Sequence, residues 1–296
     1  MTNDSLNYHL FSSTPFCNTY LTDFALESIE KEDLGSDLQT DMLCISYSTP
    51  DIIGHSFGPY SIEIEDTYLR LDLEMKRLMN YLDSEIGEDD YILFITADHA
   101  VVPTPQFLTD NGLPGGYVFL DSLVETVDSL SMEKFGARLV EYEDNLNIYL
   151  NRHRMDSLGV DRNVVQSFFL NQLKDWNGIK RVFTQEELYA SAGDDGWRDM
   201  IKRGIHHKES GDIIVMLEPG YLPKSTDSET ARKGTSHGSA FGYDTHVPLL
   251  WYGKGIPKQE ILRNVQITDI TATLVHMLYL QNPNALTGNP IIEILK

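Results

Sequence analysis

The chain has 296 residues with 45 acidic and 23 basic side chains, a formal net charge of −22, and 41% hydrophobic residues. Length alone allows one or two domains, and a chain this long buries a core without disulfide or metal staples. The acidic balance, with no basic run, excludes a nucleic-acid polymer or an anionic membrane surface as the main partner, because both need clustered Lys and Arg.

In chain order, a weakly periodic stretch predicts a helix around Asn18–Glu30. Met42–Tyr47 is a short apolar run of the kind that forms a buried strand, and Ser48–Asp51 reads as the turn that ends it. Cys44 lies in that run and is expected to be a buried thiol, with a Cys17–Cys44 bridge as the alternative. Residues 61–86 read as an amphipathic helix. Ile64, Tyr68, Leu71, Met75, Leu78 and Leu82 form one stripe, Ser61 stands at the N-cap and Gly87 at the end. Tyr91–Thr96 is a second buried strand, so strand, helix and strand make a βαβ unit and predict a parallel sheet. Val247–Tyr252 reads as a further strand and Thr268–Leu280 as a helix.

The middle of the chain is more mixed. Leu146–Leu150 and Asp212–Leu217 read as strands, Val164–Trp176 and Glu186–Tyr189 as helices, and Lys224–Gly234 as a mobile polar loop. The expectation is an α/β core made of residues 1–110 and 234–296, with residues 111–233 inserted as an α+β cap. No stretch has the apolar length of a membrane-spanning helix. The start, Met1–Asp4, lacks the features of a signal peptide.

Two pairs carry the chemistry. Asp51 and His55 follow the first predicted strand, and Asp98 and His99 follow the second. Ligands in open α/β sheets bind beyond the carboxyl ends of the strands, so two strands of one unit deliver both pairs to one edge. A carboxylate and an imidazole are suitable Zn²⁺ ligands. His237 lies in Gly234-Thr235-Ser236-His237-Gly238, among small residues that leave its ring open, and is the third candidate. His246 lies nearby and is the weaker candidate. His9, His153, His206, His207 and His276 have no acidic partner at ligand spacing and are read as structural or surface residues.

Thr49–Pro59 resembles the "PD..GH..GP" signature of the type I phosphodiesterase/nucleotide pyrophosphatase family of the alkaline phosphatase superfamily. Thr96–His99 resembles its "T.DHG" element, with Ala100 where glycine is usual, and Gly234–Gly238 resembles its "G.HG" element. The stretch Gly234–Gly253 is similar to bacterial alkaline phosphatases of this family that act on phosphate monoesters.

The resemblance implies an alkaline-phosphatase-like fold, a mostly parallel sheet sandwiched by helices. It implies two Zn²⁺, with Asp51, His55 and His237 on one ion and Asp98 and His99 on the other. It further implies a small phosphate-ester substrate, hydrolysis through a phospho-enzyme, and a periplasmic or secreted location. The family's Thr or Ser nucleophile, and an Asp beside it, precede the "PD..GH" element by more than the residues available here. Thr2, Thr14, Thr19, Thr22 and Thr40 do not fit that role. The expectation is therefore a C-terminal part of the family fold without its nucleophile. The alternatives are a phosphodiesterase or nucleotide pyrophosphatase, and a catalytically inactive metal-binding fragment.

Overall fold

A computed structural model describes residues 8–190, 196–225 and 234–295. Residues 226–233 of the expected mobile loop, Met1–Asp4 with Thr2, and the side chain of His9 lie outside the described residues. In chain order the described elements begin with α1 (Tyr8–Ser12), α2 (Phe16–Lys31), α3 (Thr49–Phe57), α4 (Ile62–Glu85) and β1 (Ile92–Thr96). There follow α5 (Pro105–Asp110), β2 (Gly116–Phe119), α6 (Leu120–Phe135), β3 (Val140–Asp144), β4 (Asn147–Leu150), α7 (Arg152–Leu158) and α8 (Arg162–Leu173). Then come β5 (Ile179–Thr184), α9 (Gln185–Ala190), α10 (Trp197–Arg203), β6 (Ile213–Leu217) and β7 (Tyr221–Lys224). The last are α11 (Gly242–Thr245), β8 (Leu249–Gly253), α12 (Thr268–Met277) and a short 3₁₀ turn (Ile292–Ile294).

The chain divides into two compact units. The first holds Met1–Thr14, Ser48–Tyr68 and Asp98–Val247, and the second holds Pro15–Tyr47, Leu69–Ala97 and Pro248–Lys296.

The first unit is built on a four-stranded sheet in the order β3-β4-β6-β5, with antiparallel pairing throughout. Strand β6 is apolar along its whole length and buried on both faces, the pattern of a central strand. Helices α6 and α8 place Leu123, Val127, Val165, Phe169 and Leu173 into one continuous core with Ile148, Ile213 and Val215. Local chemistry fixes their ends. Asp161 caps α8 by accepting from the Asn163 and Val164 amides, and Gly136 closes α6 in the left-handed conformation.

Two buried carboxylates tie this core together. Asp128 accepts from the Leu139 and Val140 amides at 2.7 and 2.9 Å. Asp212, 2% exposed, accepts from the Leu150 amide at 2.8 Å and from Arg162 and Arg152 at 2.8 and 3.1 Å. A separate parallel pair, β2-β7, completes the strands of this unit.

The second unit joins α2 to residues 69–85 of α4 through polar contacts: Thr19 donates to Glu74 at 2.8 Å, and Arg77 bridges Glu74 and Asp23. Helix α12 is locked by Asp269, which accepts from the Asn289 and Gln266 amides. Thr273 donates to the Asp269 carbonyl and accepts from the Ile291 amide. The sheet here is the antiparallel pair β1-β8, with Phe94 against Trp251, ring centres 5.0 Å apart.

Several expectations need correction. Met42–Tyr47 forms no strand; its apolar residues earn the reading, yet a strand exists only where a neighbour takes its amides and carbonyls. No strand pairs with it among the described residues. Cys44 is accordingly exposed, and Cys17 and Cys44 are both free. The βαβ pairing between residues 42–47 and β1 is therefore not formed, and β1 meets β8 in antiparallel register. Ser48–Asp51 is the start of α3 and not a turn.

Candidate metal centre

The candidate site lies in the first unit. Helix α3 starts at Thr49 with Pro50 in its first turn, where the missing amide costs nothing and the fixed φ suits a helix. Asp51 also falls in that first turn, a position the helix dipole favours for an anion. A helix rather than a turn sets Asp51 and His55 four residues apart on one face. Their side chains meet, with His55 Nε2 3.3 Å from Asp51 Oδ2.

The loop bearing His237 is held on α3 by its backbone. The Gly234 amide donates to the His55 carbonyl at 3.2 Å and the Thr235 amide to the Gly54 carbonyl at 3.0 Å. A Cβ on Gly234 would collide with the Gly54 carbonyl oxygen, so the small residues before His237 serve close backbone approach more than ring access. Gly58, at φ +87°, ends α3; a Cβ there would stand 2.6 Å from Thr104 Cγ2. Thr235 also donates its hydroxyl to the Val102 carbonyl, pinning the loop on its other side.

These contacts bring His237 Nε2 to 3.5 Å from Asp51 Oδ1. Asp51, His55 and His237 thus form a group with one donor atom from each lying within 4.8 Å of the others. The Nδ1 of His55 lies 2.9 Å from the Thr235 carbonyl. That contact keeps the proton on Nδ1 and leaves the Nε2 lone pair facing the carboxylate, as a metal ligand requires.

Asp98 and His99 follow β1. His99 stacks on His237, ring centres 3.4 Å apart and 13° from parallel, and its Nδ1 lies 3.1 Å from the Ala100 carbonyl. Asp98 Oδ2 is 3.6 Å from His99 Nε2, and its side chain is 88% exposed. The structure therefore brings four of the five expected residues into one row of rings around Asp51, with Asp98 at the exposed end. Among the described residues, Asp98 and His99 do not complete a three-ligand group of their own. His153, His206, His207, His246 and His276 are exposed and stand outside the group.

The electrostatics suit a cation. Burial, and then the charge of neighbouring His99, lower the His237 pKa below its usual 6.5, so this imidazole is neutral and free to donate at neutral pH. Asp244, which sequence reasoning missed, is buried beside the same loop and its carboxyl pKa is raised, chiefly by burial. It accepts from the Ser239 amide at 2.8 Å, its backbone carbonyl accepts from the Ala100 amide at 2.8 Å, and its Oδ1 has no hydrogen-bond partner among the described residues. Asp244 thus clamps the segment after His99 to the segment after His237. A lone Asp between Tyr243 and Thr245 carries no signal of this in the sequence.

A family model described as type I phosphodiesterase / nucleotide pyrophosphatase matches residues 10–240. The chain belongs to that family. It is 37% identical over 292 residues to a Myroides odoratus protein named calcium-transporting ATPase, covering 98% of this chain and 53% of that protein. It is 32% identical over 287 residues to alkaline phosphatase PafA of Elizabethkingia meningoseptica, covering 97% of this chain and 52% of that one. The crystal structure of wild-type PafA superposes with a TM-score of 0.90 at 31% identity, over 97% of this chain and 54% of that chain. The fold is accordingly the alkaline-phosphatase-like α/β fold that the motifs imply. The chain spans about half the length of the curated relatives it matches.

Proposed function

We propose that this chain carries the metal-binding part of a phosphoric ester hydrolase that acts on phosphate monoesters. The observation that carries the reading is the convergence of Asp51, His55 and His237. One carboxylate and two imidazoles are a suitable donor set for Zn²⁺, and both His55 and His99 present Nε2 while a backbone carbonyl holds Nδ1. In this reading Asp51, His55 and His237 hold one ion, and Asp98 and His99 supply two ligands to a second. Bound there, divalent ions supply Lewis-acid charge to the phosphoryl and leaving-group oxygens.

The chain's own residues then have distinct tasks. Asp51 offsets cationic charge with one oxygen toward each imidazole. Asp244 and the Gly234–Gly54 contact hold the histidine-bearing loops at fixed separation, so that the donors are set before a ligand arrives. Residues 111–233 form the cap that shapes the leaving-group side. The hydroxyl nucleophile has no assigned residue in this chain. It belongs, in this reading, to the part of the relatives' length that the chain does not match. The location is periplasmic or secreted; no described helix is long and apolar enough to cross a membrane.

The test is hydrolysis of p-nitrophenyl phosphate beside bis-p-nitrophenyl phosphate by the zinc-loaded chain, alone and joined to the unmatched part of the Myroides relative. Expected is monoester hydrolysis by the joined form alone, lost on His55→Ala. Preference for the diester would move the enzyme to the phosphodiesterase branch. Full turnover with His55→Ala would remove the metal assignment.

A further inference from the structure

Helices α7, α8 and α9 of the first unit line a cleft of about 590 Å³, the volume of a small-molecule site. Asp51, His55, Asp98, His99 and His237 do not line it. Two guanidiniums do. Arg152 and Arg162 both donate to one oxygen of the buried Asp212, at 3.1 and 2.8 Å, and the other oxygen accepts from the Leu150 amide at 2.8 Å. A carboxylate held by the backbone thus holds both guanidiniums, so their donors are set in advance. Arg162 also bridges Glu186 at 3.1 Å, and its buried Nε has no hydrogen-bond partner among the described residues. A guanidinium carries more donors than these contacts use, and a buried N–H without an acceptor is costly. The remaining wall is fixed as well. Gln185 donates to the Ser210 and Gly211 carbonyls at 2.7 and 3.0 Å, and the Tyr189 hydroxyl donates to the Ile205 carbonyl at 3.3 Å. The Tyr189 ring stays 45% exposed.

We propose that this cleft binds a small organic anion, with a carboxylate or phosphate group on the donors of Arg152 and Arg162 and an aromatic body against the Tyr189 ring. The planar fork of a guanidinium matches both oxyanions, and a tyrosine ring offers a face for offset stacking. Over most of a chain of net charge −22 an anion is repelled. Here Arg152 and Arg162 balance Asp212 and Glu186, and the ligand meets fixed donors in place of that field. Arg152 makes the main contact, because its side chain is 58% exposed and Asp212 is its ion-pair partner among the described residues. Glu186 competes with the ligand for Arg162. The inference is independent of the proposed hydrolysis.

The experiment titrates the whole chain with benzoate, with phenylphosphonate and with neutral benzamide by isothermal calorimetry. Expected is saturable one-to-one binding of at least one anion, with benzamide at least ~10-fold weaker; the tighter anion names the oxyanion group. Arg152→Ala is expected to weaken that anion by about 10–100-fold and to leave zinc stoichiometry unchanged. Glu186→Gln, which removes the competing carboxylate, is expected to tighten it by about 2–5-fold. An ion cluster that serves the fold alone would bind neither anion. The proposal is overturned if neither anion saturates, if benzamide binds as tightly, or if Arg152→Ala leaves the affinity unchanged. Phenylphosphonate binding that survives Arg152→Ala and vanishes with His237→Ala belongs to the metal centre and also overturns it. If Arg152→Ala fails to fold, Glu186→Gln decides alone, and an unchanged affinity there overturns the proposal. No ester hydrolysis is read, so the result stands apart from the proposed activity.

Discussion

The two units of this protein differ in how one set of apolar side chains is covered. In the first, Phe169, Leu123, Val165 and Ile213 are fully buried between α6, α8 and a four-stranded sheet. In the second, the sheet has two strands among the described residues, and Phe16, Tyr20 and Phe24 are more than half exposed. Both regions have ordinary local signals for helix and strand. The difference teaches that apolar content specifies burial only when a second layer is present to receive it. Asp51, His55, His99 and His237 all belong to the first unit.

The widest effect should come from breaking the closed unit. Phe169→Ala removes a ring that is 0% exposed and should cost about 3–5 kcal/mol of stability, read from urea unfolding. Asp212→Ala leaves Arg152, Arg162 and the Leu150 amide facing a lost carboxylate. A cost of about 1–3 kcal/mol is expected, because the buried Leu150 amide is left without its acceptor; the same unfolding experiment reads it. Gly234→Ala acts at the join of loop and helix, where the added methyl meets the Gly54 carbonyl oxygen. It should cost about 1–3 kcal/mol and weaken metal affinity by about 10–100-fold through displacement of His237, measured by isothermal titration with Zn²⁺. At the small end, Phe24→Ala in the second unit should change stability by no more than about 0.5 kcal/mol, as for any exposed side chain. A loss of several kcal/mol there would erase the contrast between the units.

Much of this was legible in the sequence, and particular residues show why. The stripe from Ile64 to Leu82 gave α4 almost to its ends, with Ser61 accepting from the Ile64 amide as an N-cap does. Strand β6 was legible as an unbroken apolar run. The segment 42–47 is also largely apolar and forms no strand, because apolar content records the need for a partner and not its presence. The motif residues Asp51, His55 and His237 were legible as candidate ligands. Their spacing reads equally as a turn or as one helical face, and only the backbone of α3 decides between them. Thr235 and Asp244 were not legible, since their work consists of one carbonyl toward His55 and, in Asp244, a buried carboxylate and a backbone carbonyl that take one amide each. Neither feature leaves a mark on residue type.

The account rests on three side chains from two distant parts of the chain forming one cation site. Zinc stoichiometry and affinity, measured on the intact chain and on His237→Ala at neutral pH, test it most directly. The account predicts about one tightly held equivalent in the intact chain, lost on His237→Ala with the fold retained, and released on acidification as protons compete for the imidazoles. An intact chain that binds no zinc, or a His237→Ala chain that binds as tightly as the original, would contradict it.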